Sequence, residues 1–421
     1  MLRSSITTRG KGRGIGAALA LALAGCAAGA IAFASPALAQ VQPELSPSRG
    51  FNRVFQPVAA IANAAAGDFA AAKAQVPALL AAVENADDRY LAGNVIYVLG
   101  VKLTERPLQQ QGMEMMLQSG KATALAAAEM NYFLGEWAYD DQQWAKVRQY
   151  MQAARAGGYT QGNAEGLTAE SYFRERQLEP GLAYLEGMIQ QRVSAGQPAP
   201  EPWLRRGQQA AFDASNVDLT TKWSTLLLDH NPSPENWTRT LQMVGALQPL
   251  ERQAQLDLLR LMAATNSLTG RALFERYIQA ADPRLMATEV RRVLEAGVQA
   301  GVFDTGEEFY TLTRSTVDER ASGEPADAAA YAADARGATS GRDAASAGDL
   351  YLGLQSYAEA ETMFSLALEQ GDIDRDAALT RLGIAQIQLG KIDQARASLQ
   401  QVTGPRAVVA RLWSAYAGSK T

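Results

Sequence analysis

Few side chains in this sequence have the types and spacing that catalysis or metal binding requires. His230 is the only histidine, so a Ser-His-Asp arrangement would have to use it. A zinc site usually needs several His or Cys ligands, which one histidine cannot supply. His230 lies in the segment Asp229-His230-Asn231-Pro232, where a histidine at a helix end commonly contacts the last carbonyl groups. We therefore interpret His230 as a helix-end residue and predict no metal site.

Cysteine and carboxylate chemistry are limited as well. Cys26 is the only cysteine, and it lies inside an N-terminal apolar segment. Neither the Gly-x-Ser-x-Gly elbow nor the Gly-x-x-x-x-Gly-Lys-Ser/Thr phosphate loop occurs. Glu307 and Glu308 are the most visible carboxylate pair, but adjacent residues on a helix point about 100° apart and do not face one site. The sequence predicts no catalytic residue and no cofactor. Carboxylate chemistry on a helical scaffold stays open as the alternative.

The composition indicates that helices position these side chains. The chain has 421 residues, a length that exceeds what one compact core usually supports. Hydrophobic residues make up 47% of it. Alanine and other helix formers dominate, and runs of β-branched residues are scarce. The formal net charge is −5, which does not favour nucleic acid as a partner, because phosphate binding needs a basic surface.

The N-terminal segment has the pattern of a secretory signal. A basic stretch over residues 1–13 precedes an apolar run over 15–34, and Ala37-Leu38-Ala39 forms a small-x-small cleavage site. We predict a signal peptide at 1–39, followed by a flexible leader at 40–50. The expected location is therefore outside the cytoplasm, most simply the periplasm of a bacterium.

Two alternatives for this segment remain open. Leu23-Ala24-Gly25-Cys26 is similar to a bacterial lipoprotein cleavage box, which would leave the mature chain lipid-anchored in the outer membrane through Cys26. The apolar run is also close to the ~20 residues that span a bilayer, so an uncleaved segment could anchor the chain. We expect membrane contact only through one of these two routes.

The clearest long-range pattern is a repeat of 35 residues. Gly348 and Gly383 are separated by this interval, and so are Ala360 and Ala395. Trp203 and Trp237 lie 34 residues apart in a weaker copy of the pattern. The positions that define the repeats are Gly135, Trp203, Gly207, Trp237, Gly348, Tyr357, Ala360, Phe364, Ala367, Gly383 and Ala395.

These residues resemble the tetratricopeptide repeat (TPR) family, in which a small residue lets two antiparallel helices approach closely. The resemblance implies an all-α, right-handed superhelical solenoid of helix hairpins, each burying its apolar stripe against the next. The predicted segments are N-terminal TPR-like hairpins at 51–232, degenerate helical repeats at 233–340, two well-formed units at 341–404 and a capping helix at 405–421.

The resemblance also implies a function and a surface for it. TPR proteins bind other proteins or peptides in a groove lined by the first helix of each hairpin. In the frame set by Gly135, the groove positions are Glu129, Tyr132, Glu136, Tyr139 and Asp140. Aromatic and acidic side chains together suit a basic or extended peptide. The competing interpretation is that the two tyrosines pack against the next hairpin. We predict a non-catalytic interaction scaffold of the cell envelope, with an envelope enzyme acting through carboxylates as the alternative.

Overall fold

The structure is a computed structural model that describes residues 45–420. Within this range the chain forms helices and connecting turns and has no β-strand. The all-α class predicted from composition and repeats is confirmed, and so is the arrangement in consecutive helix pairs. The predicted signal peptide at 1–39 and the lipoprotein box at Cys26 lie outside the described residues.

The chain divides into two compact units, with the boundary between Arg176 and Gln177. Unit 1 (described from residue 45 to 176) has an apolar core that extends from Phe51 to Leu134. Unit 2 (described from 177 to 420) has its own larger apolar core. The boundary falls inside the segment 51–232, which the repeat pattern had presented as continuous.

Unit 1 consists of helices that pack mainly against their neighbours in sequence. The pairs α4 with α5 and α6 with α7 make the most extensive contacts. The helices are α1 (Arg49–Asn63), α2 (Phe69–Ala74), α3 (Val76–Ala81), α4 (Ala86–Lys102), α5 (Arg106–Ser119), α6 (Ala124–Asp140), α7 (Trp144–Ala156) and α8 (Ala164–Arg174).

Unit 2 continues the same pattern with more helices. Its most extensive helix contacts join α10 (Glu201–Asp213) with α11 (Val217–His230), and α18 (Arg342–Gly353) with both α17 (Glu324–Ala335) and α19 (Tyr357–Gln370). The helices are α9 (Leu178–Ser194), α10 (Glu201–Asp213), α11 (Val217–His230), α12 (Pro234–Leu247), α13 (Arg252–Ala264), α14 (Arg271–Ala281), α15 (Ala287–Gln299), α16 (Glu308–Arg320), α17 (Glu324–Ala335), α18 (Arg342–Gly353), α19 (Tyr357–Gln370), α20 (Arg375–Gln388), α21 (Ile392–Leu399) and, after a 3-10 turn at Gly404–Arg406, α22 (Ala407–Gly418).

Four hairpins share one crossing geometry, and this explains the repeat. In each, a glycine on the first helix lies against the side chain 16 residues later on the second. A Cβ atom added at the glycine would lie between 2.2 and 2.8 Å from that side chain, closer than any residue with a Cβ allows. The pairs are Gly135 with Met151, Gly207 with Trp223, Gly348 with Phe364, and Gly383 with Leu399. The repeat-defining glycines are therefore places where two helices touch.

The turns of these hairpins also share a conformation. Each turn has three residues, and its middle residue is left-handed, with φ of 58° at Gln142, 54° at Ser215, 63° at Gln355 and 73° at Gly390. Such short turns force the two helices to run antiparallel. Only one of the four turns uses glycine, so packing between the helices holds the other three in a conformation that costs free energy.

Helix α1 begins inside the segment 40–50, which we had predicted to be a flexible leader. The backbone N–H and the Oγ–H of Ser48 donate to the carboxylate of Asp88, at 2.8 and 2.9 Å. Ser48 also caps α1 by accepting from Phe51 N. The described end of this segment is therefore held against α4. The Pro/Ser composition of the segment gives no sign of this distant aspartate.

The C-terminal helix makes more contacts than a cap on the last hairpin requires. Helix α22 packs on α20 and α21, as expected, and also returns to α11 and α13. The indole Nε1–H of Trp413 donates to the Asp257 carbonyl at 3.0 Å, and the Tyr416 hydroxyl donates to the Ala264 carbonyl at 3.3 Å. Unit 2 therefore closes on itself, and we call these contacts of α22 the closure.

Candidate functional site

Helix α6 in unit 1 carries all five predicted groove residues, but they have different surroundings. Tyr132 is buried, with its ring centroid 4.7 Å from that of Tyr159. Tyr139 packs edge-on against Trp144 at the start of α7. Asp140 is exposed and lies 3.7 Å from Arg106.

The remaining members, Glu129 and Glu136, lie beside tyrosines. Glu129 interacts electrostatically with Tyr97 on α4 and with Tyr159, and Glu136 interacts with Tyr159 and Tyr132. The five residues Tyr97, Glu129, Tyr132, Glu136 and Tyr159 thus form one cluster, which we call the tyrosine-carboxylate cluster. Tyr139 and Asp140 lie one turn beyond it on α6.

The loop before α8 closes over this cluster. The backbone N–H of Asn163 donates to the Tyr132 hydroxyl at 3.2 Å. Gly162 has a φ of 90°, and a Cβ at this position would overlap the Tyr132 ring. Glycine is required here for both reasons. The Tyr132 ring is therefore covered by this loop and by Tyr159 and is held in one place.

The carboxylates of the cluster have no basic side chain among the described residues close enough to neutralise them. Burial raises the pKa of Glu136, and the charge of Asp140 raises it further, although a hydrogen bond from Tyr132 opposes this. Burial also raises the pKa of Tyr132 to about 12. Within residues 45–420, neither Glu129 nor Glu136 has a basic side chain within 4.0 Å. The cluster therefore keeps negative charge that no cation of unit 1 neutralises.

Two buried polar atoms on α4 lack partners among the described residues, and one of them, the Tyr97 hydroxyl, belongs to the cluster. The Tyr97 hydroxyl and the Asn94 Oδ1 are buried, and neither has a hydrogen-bond partner within the described part of the chain. The two residues are three positions apart, so they lie on the same face of α4. Buried polar groups normally find partners, and those that do not call for an explanation.

The repeat-defining residues take up structural positions in both units. Most are buried at helix crossings, namely Gly135, Gly207, Gly348, Ala360, Phe364, Ala367, Gly383 and Ala395. Trp203 is half-buried, whereas Trp237 is buried edge-on to Tyr416 of the closure. Tyr357 begins α19, as the repeat predicts, and lines a cavity described below.

The other candidates for chemistry are His230, Glu307 and Glu308. His230 is the last residue of α11, as predicted, and its side chain is exposed. Glu307 precedes α16 and forms an ion pair with Arg271 at 2.8 Å, while Glu308 is exposed. These residues do not meet at a common site.

The buried charges of unit 2 were missed by sequence reasoning. Asp257 on α13 is fully buried and accepts hydrogen bonds from three guanidinium groups, those of Arg260, Arg381 and Arg406. Arg406 comes from the 3-10 turn before α22, so the closure depends on this carboxylate. The available signal was a pair of opposite charges, three residues apart, inside the apolar run Leu256–Met262.

Glu289 on α15 extends this network. Arg260 donates to both of its oxygens, at 2.8 and 2.7 Å, and the Tyr277 hydroxyl donates to Oε1 at 2.8 Å. Burial raises the pKa of Glu289, but the charge and hydrogen bonds of Arg260, with help from Arg292 and Tyr277, outweigh it and lower the pKa to about 2. The side chain is ionised at neutral pH, which makes it a poor general acid.

A cavity of about 360 Å³ lies beside Glu289 inside the closed part of unit 2. Helices α13, α14, α15, α18, α19, α20 and α22 all contribute to its wall. The residues in it that could bind a ligand are Arg292, Gln355, Tyr357, Gln388, Trp413 and Tyr416. The cavity exists because α22 folds back on α13, which an open stack of hairpins would not do.

Comparisons with known proteins add little to this geometry. No family model matches the chain, and no curated protein matches it. A solved structure of the TPR2AB domain of yeast Sti1 in complex with pHSP90 aligns with 70% of this chain and 94% of that chain, at 16% identity and a TM-score of 0.23. The score is too low to support an argument from likeness, so the description of the fold rests on the hairpins themselves.

Two further properties concern the same described range. No group of three or more His, Cys, Asp or Glu side chains between residues 45 and 420 is placed to hold a metal ion. None of the helices in that range is both long enough and apolar enough to cross a membrane.

Proposed function

We propose that the chain is an exported, non-catalytic scaffold of the bacterial cell envelope, and that unit 1 binds basic, extended segments of other proteins. The observation that carries this proposal is the tyrosine-carboxylate cluster. Its two glutamates have no basic partner among the described residues, and burial raises the pKa of Glu136. A Lys or Arg side chain of a partner would neutralise this charge.

An extended peptide fits the remaining features of the cluster. The buried, unpartnered oxygens of Asn94 and Tyr97 lie on α4, and the glutamates lie on α6, so these polar groups belong to the first helices of two consecutive hairpins. A peptide backbone presents donors and acceptors at regular intervals, and the part-exposed ring of Tyr159 offers an aromatic face to a cationic side chain.

A non-catalytic role is supported by what the acidic side chains do. Glu289 and Asp257 are bound by arginines, and Glu307 is paired with Arg271. A glycosidase-type mechanism needs two carboxyl groups facing one substrate, one of them protonated. The alternative of an envelope enzyme gains no support from these contacts.

Export is supported by the pattern of residues 1–39, which lie outside the described range. Mass spectrometry of the mature N-terminus tests this part of the proposal. A chain beginning at Gln40 agrees with cleavage by signal peptidase, and a chain beginning at lipidated Cys26 agrees with the alternative anchor. An intact Met1 would contradict cleavage at either site.

Peptide binding is tested with the purified chain and fluorescent decapeptides in which lysine, glutamate or glutamine alternates with alanine. We expect the lysine peptide to bind and the other two to bind at least about tenfold more weakly, since the cluster carries unneutralised negative charge. Binding should weaken as salt is added, because part of the cluster is reached by solvent.

The variant pair Glu129→Gln with Glu136→Gln should weaken binding of the lysine peptide by about tenfold or more, since each charge-assisted contact contributes ~1.5–3 kcal/mol. Glu319→Gln with Asp334→Asn is the matched control, because it removes the same charge from exposed positions of unit 2. If both double variants weaken binding equally, net charge alone is responsible and the cluster is not the site.

A further inference from the structure

One cation of the unit 2 cavity, Arg292, forms no salt bridge with any described residue. Arg292 lies one turn after Glu289 on α15, and its Nη1–H donates to the Gly353 carbonyl at 3.1 Å. Between residues 45 and 420, no carboxylate oxygen lies within 4.0 Å of this guanidinium. Glu289 is already bound by Arg260 and Tyr277. Since a guanidinium has five N–H donors, most of those on Arg292 remain available.

The rest of the cavity wall is largely apolar. Val293, Leu352 and Ile384 line it with aliphatic side chains. Trp413 and Tyr416 contribute rings whose polar atoms are already committed, because the indole N–H and the phenol O–H both donate to carbonyl groups of α13. These two side chains therefore present hydrocarbon surface to the cavity.

We propose that this cavity binds a small organic acid, with its carboxylate on Arg292 and its apolar body among Val293, Leu352 and Ile384. A guanidinium binds a carboxylate through two parallel hydrogen bonds, which gives both affinity and orientation. A volume of about 360 Å³ lies at the lower end of the range for small-molecule sites, ~300–1,000 Å³. That volume suits a compact ligand and excludes a long extended peptide.

The charge of the site selects a monoanion. Arg260 also lines the cavity, but it forms salt bridges with Asp257 and Glu289, so Arg292 is the only cation without a salt bridge among the described lining residues. Phosphate sites usually combine several cations or a helix N-terminus. The exposed amides of Gln355 and Gln388 border the same opening and offer only neutral hydrogen bonds.

Calorimetric titration of the full chain tests this proposal with two acids, 3-phenylpropionate and hexanoate, and with their neutral primary amides. We expect the acids to bind and the amides to bind at least about tenfold more weakly. Arg292→Gln should weaken binding of the acids by about tenfold to a hundredfold, as expected for loss of charge-assisted hydrogen bonds. Arg291→Gln is the matched control, since this neighbour on α15 does not line the cavity; it should leave the affinity unchanged.

A second variant separates loss of the site from loss of the fold. Ala296 is exposed at the cavity wall, so Ala296→Phe should obstruct the space while leaving Arg292 and the salt bridges in place. We expect it to abolish binding with an unchanged circular dichroism spectrum.

The proposal is overturned if neither acid binds at millimolar concentration, or if amides bind as well as acids. It is equally overturned if Arg291→Gln matches Arg292→Gln, or if a tripeptide ending in phenylalanine binds more tightly than 3-phenylpropionate. None of these outcomes bears on peptide binding by unit 1.

Discussion

The two units use the same helix hairpin but treat acidic side chains in opposite ways. In unit 1 the acids of the tyrosine-carboxylate cluster have tyrosines around them and no cation, and burial raises the pKa of Glu136. In unit 2, Asp257 and Glu289 lie deeper, yet arginines surround them and the pKa of Glu289 falls to about 2. Burial alone does not decide how a carboxylate behaves, since the partner charge can reverse its effect.

This difference follows from the long-range contacts. Unit 1 packs mainly helices that are close in sequence, so its packing depends on contacts between neighbouring helices. In unit 2, Arg406 reaches Asp257 across 149 residues, and Arg381 reaches it across 124. Charges buried by such a closure must be paired, whereas the half-buried Glu129 and Glu136 of unit 1 have no basic partner within 4.0 Å among the described residues.

The largest expected loss of unfolding free energy comes from replacing Asp257, the carboxylate that the closure depends on. Asp257→Asn would leave three guanidinium groups with one buried negative charge fewer, which typically costs about 3–5 kcal/mol of unfolding free energy. Urea denaturation measures the loss. Hydrogen exchange should locate it in 177–420 and leave the protection of 45–176 unchanged, because each unit has its own core.

Asp318→Asn provides the control for this prediction. Asp318 pairs with Arg314 at 2.8 Å, but both side chains are about half or one-third exposed, so the expected cost is below about 1 kcal/mol. Equal losses for the two variants would show that the network around Asp257 does not hold unit 2 closed.

A smaller loss of unfolding free energy is expected when a glycine at a helix crossing is replaced by alanine. The size of this loss should differ between the units. Gly207→Ala in unit 2 places a Cβ 2.2 Å from the Trp223 ring, which is fully buried, and should cost about 1–3 kcal/mol. Gly135→Ala in unit 1 meets the terminal methyl group of Met151 at 2.7 Å, and this flexible side chain can move aside at lower cost.

Thermal unfolding of the two variants checks this order. Gly187→Ala is the control, because that glycine lies on the exposed face of α9 with no atom within 4 Å of the added Cβ. It should stabilise the chain by about 0.5–1 kcal/mol through helix propensity. A larger loss at Gly135 than at Gly207 would contradict the idea that the rigidity of the facing side chain sets the cost.

The sequence was sufficient for the hairpins because their signals are local. Gly348 and Phe364 are separated by 16 residues, so a repeated spacing reveals a contact that both helices need. The closure could not be derived in this way. Asp257, Arg381 and Arg406 belong to no common repeat, and although the apolar run around Asp257 indicates burial, no spacing in the sequence pairs it with Arg381 or Arg406. The choice of α6 as the groove helix came from the same local frame, whereas Tyr97 and Asn94 on α4 were missed because the match to the repeat there was weak.

The smallest expected change is in how the unfolding free energy depends on pH, and it tests the electrostatic difference between the units directly. The pKa of Glu136 is raised in the folded chain, so its ionisation opposes folding above its folded pKa, and this cost disappears below the unfolded value near 4.5. Glu136→Gln should therefore raise the unfolding free energy slightly at pH 7 and leave it unchanged at pH 4.

Glu289 has the opposite dependence. Because its pKa is lowered to about 2, its contribution to the unfolding free energy is present above pH 4.5 and is lost as the pH falls from 4.5 towards 2. Urea titrations at several pH values, with exposed Glu319→Gln as the control, measure both trends. A loss of stability from Glu136→Gln at pH 7 would mean that a cation already compensates this carboxylate, and unit 1 would then have no free charge to offer a basic partner.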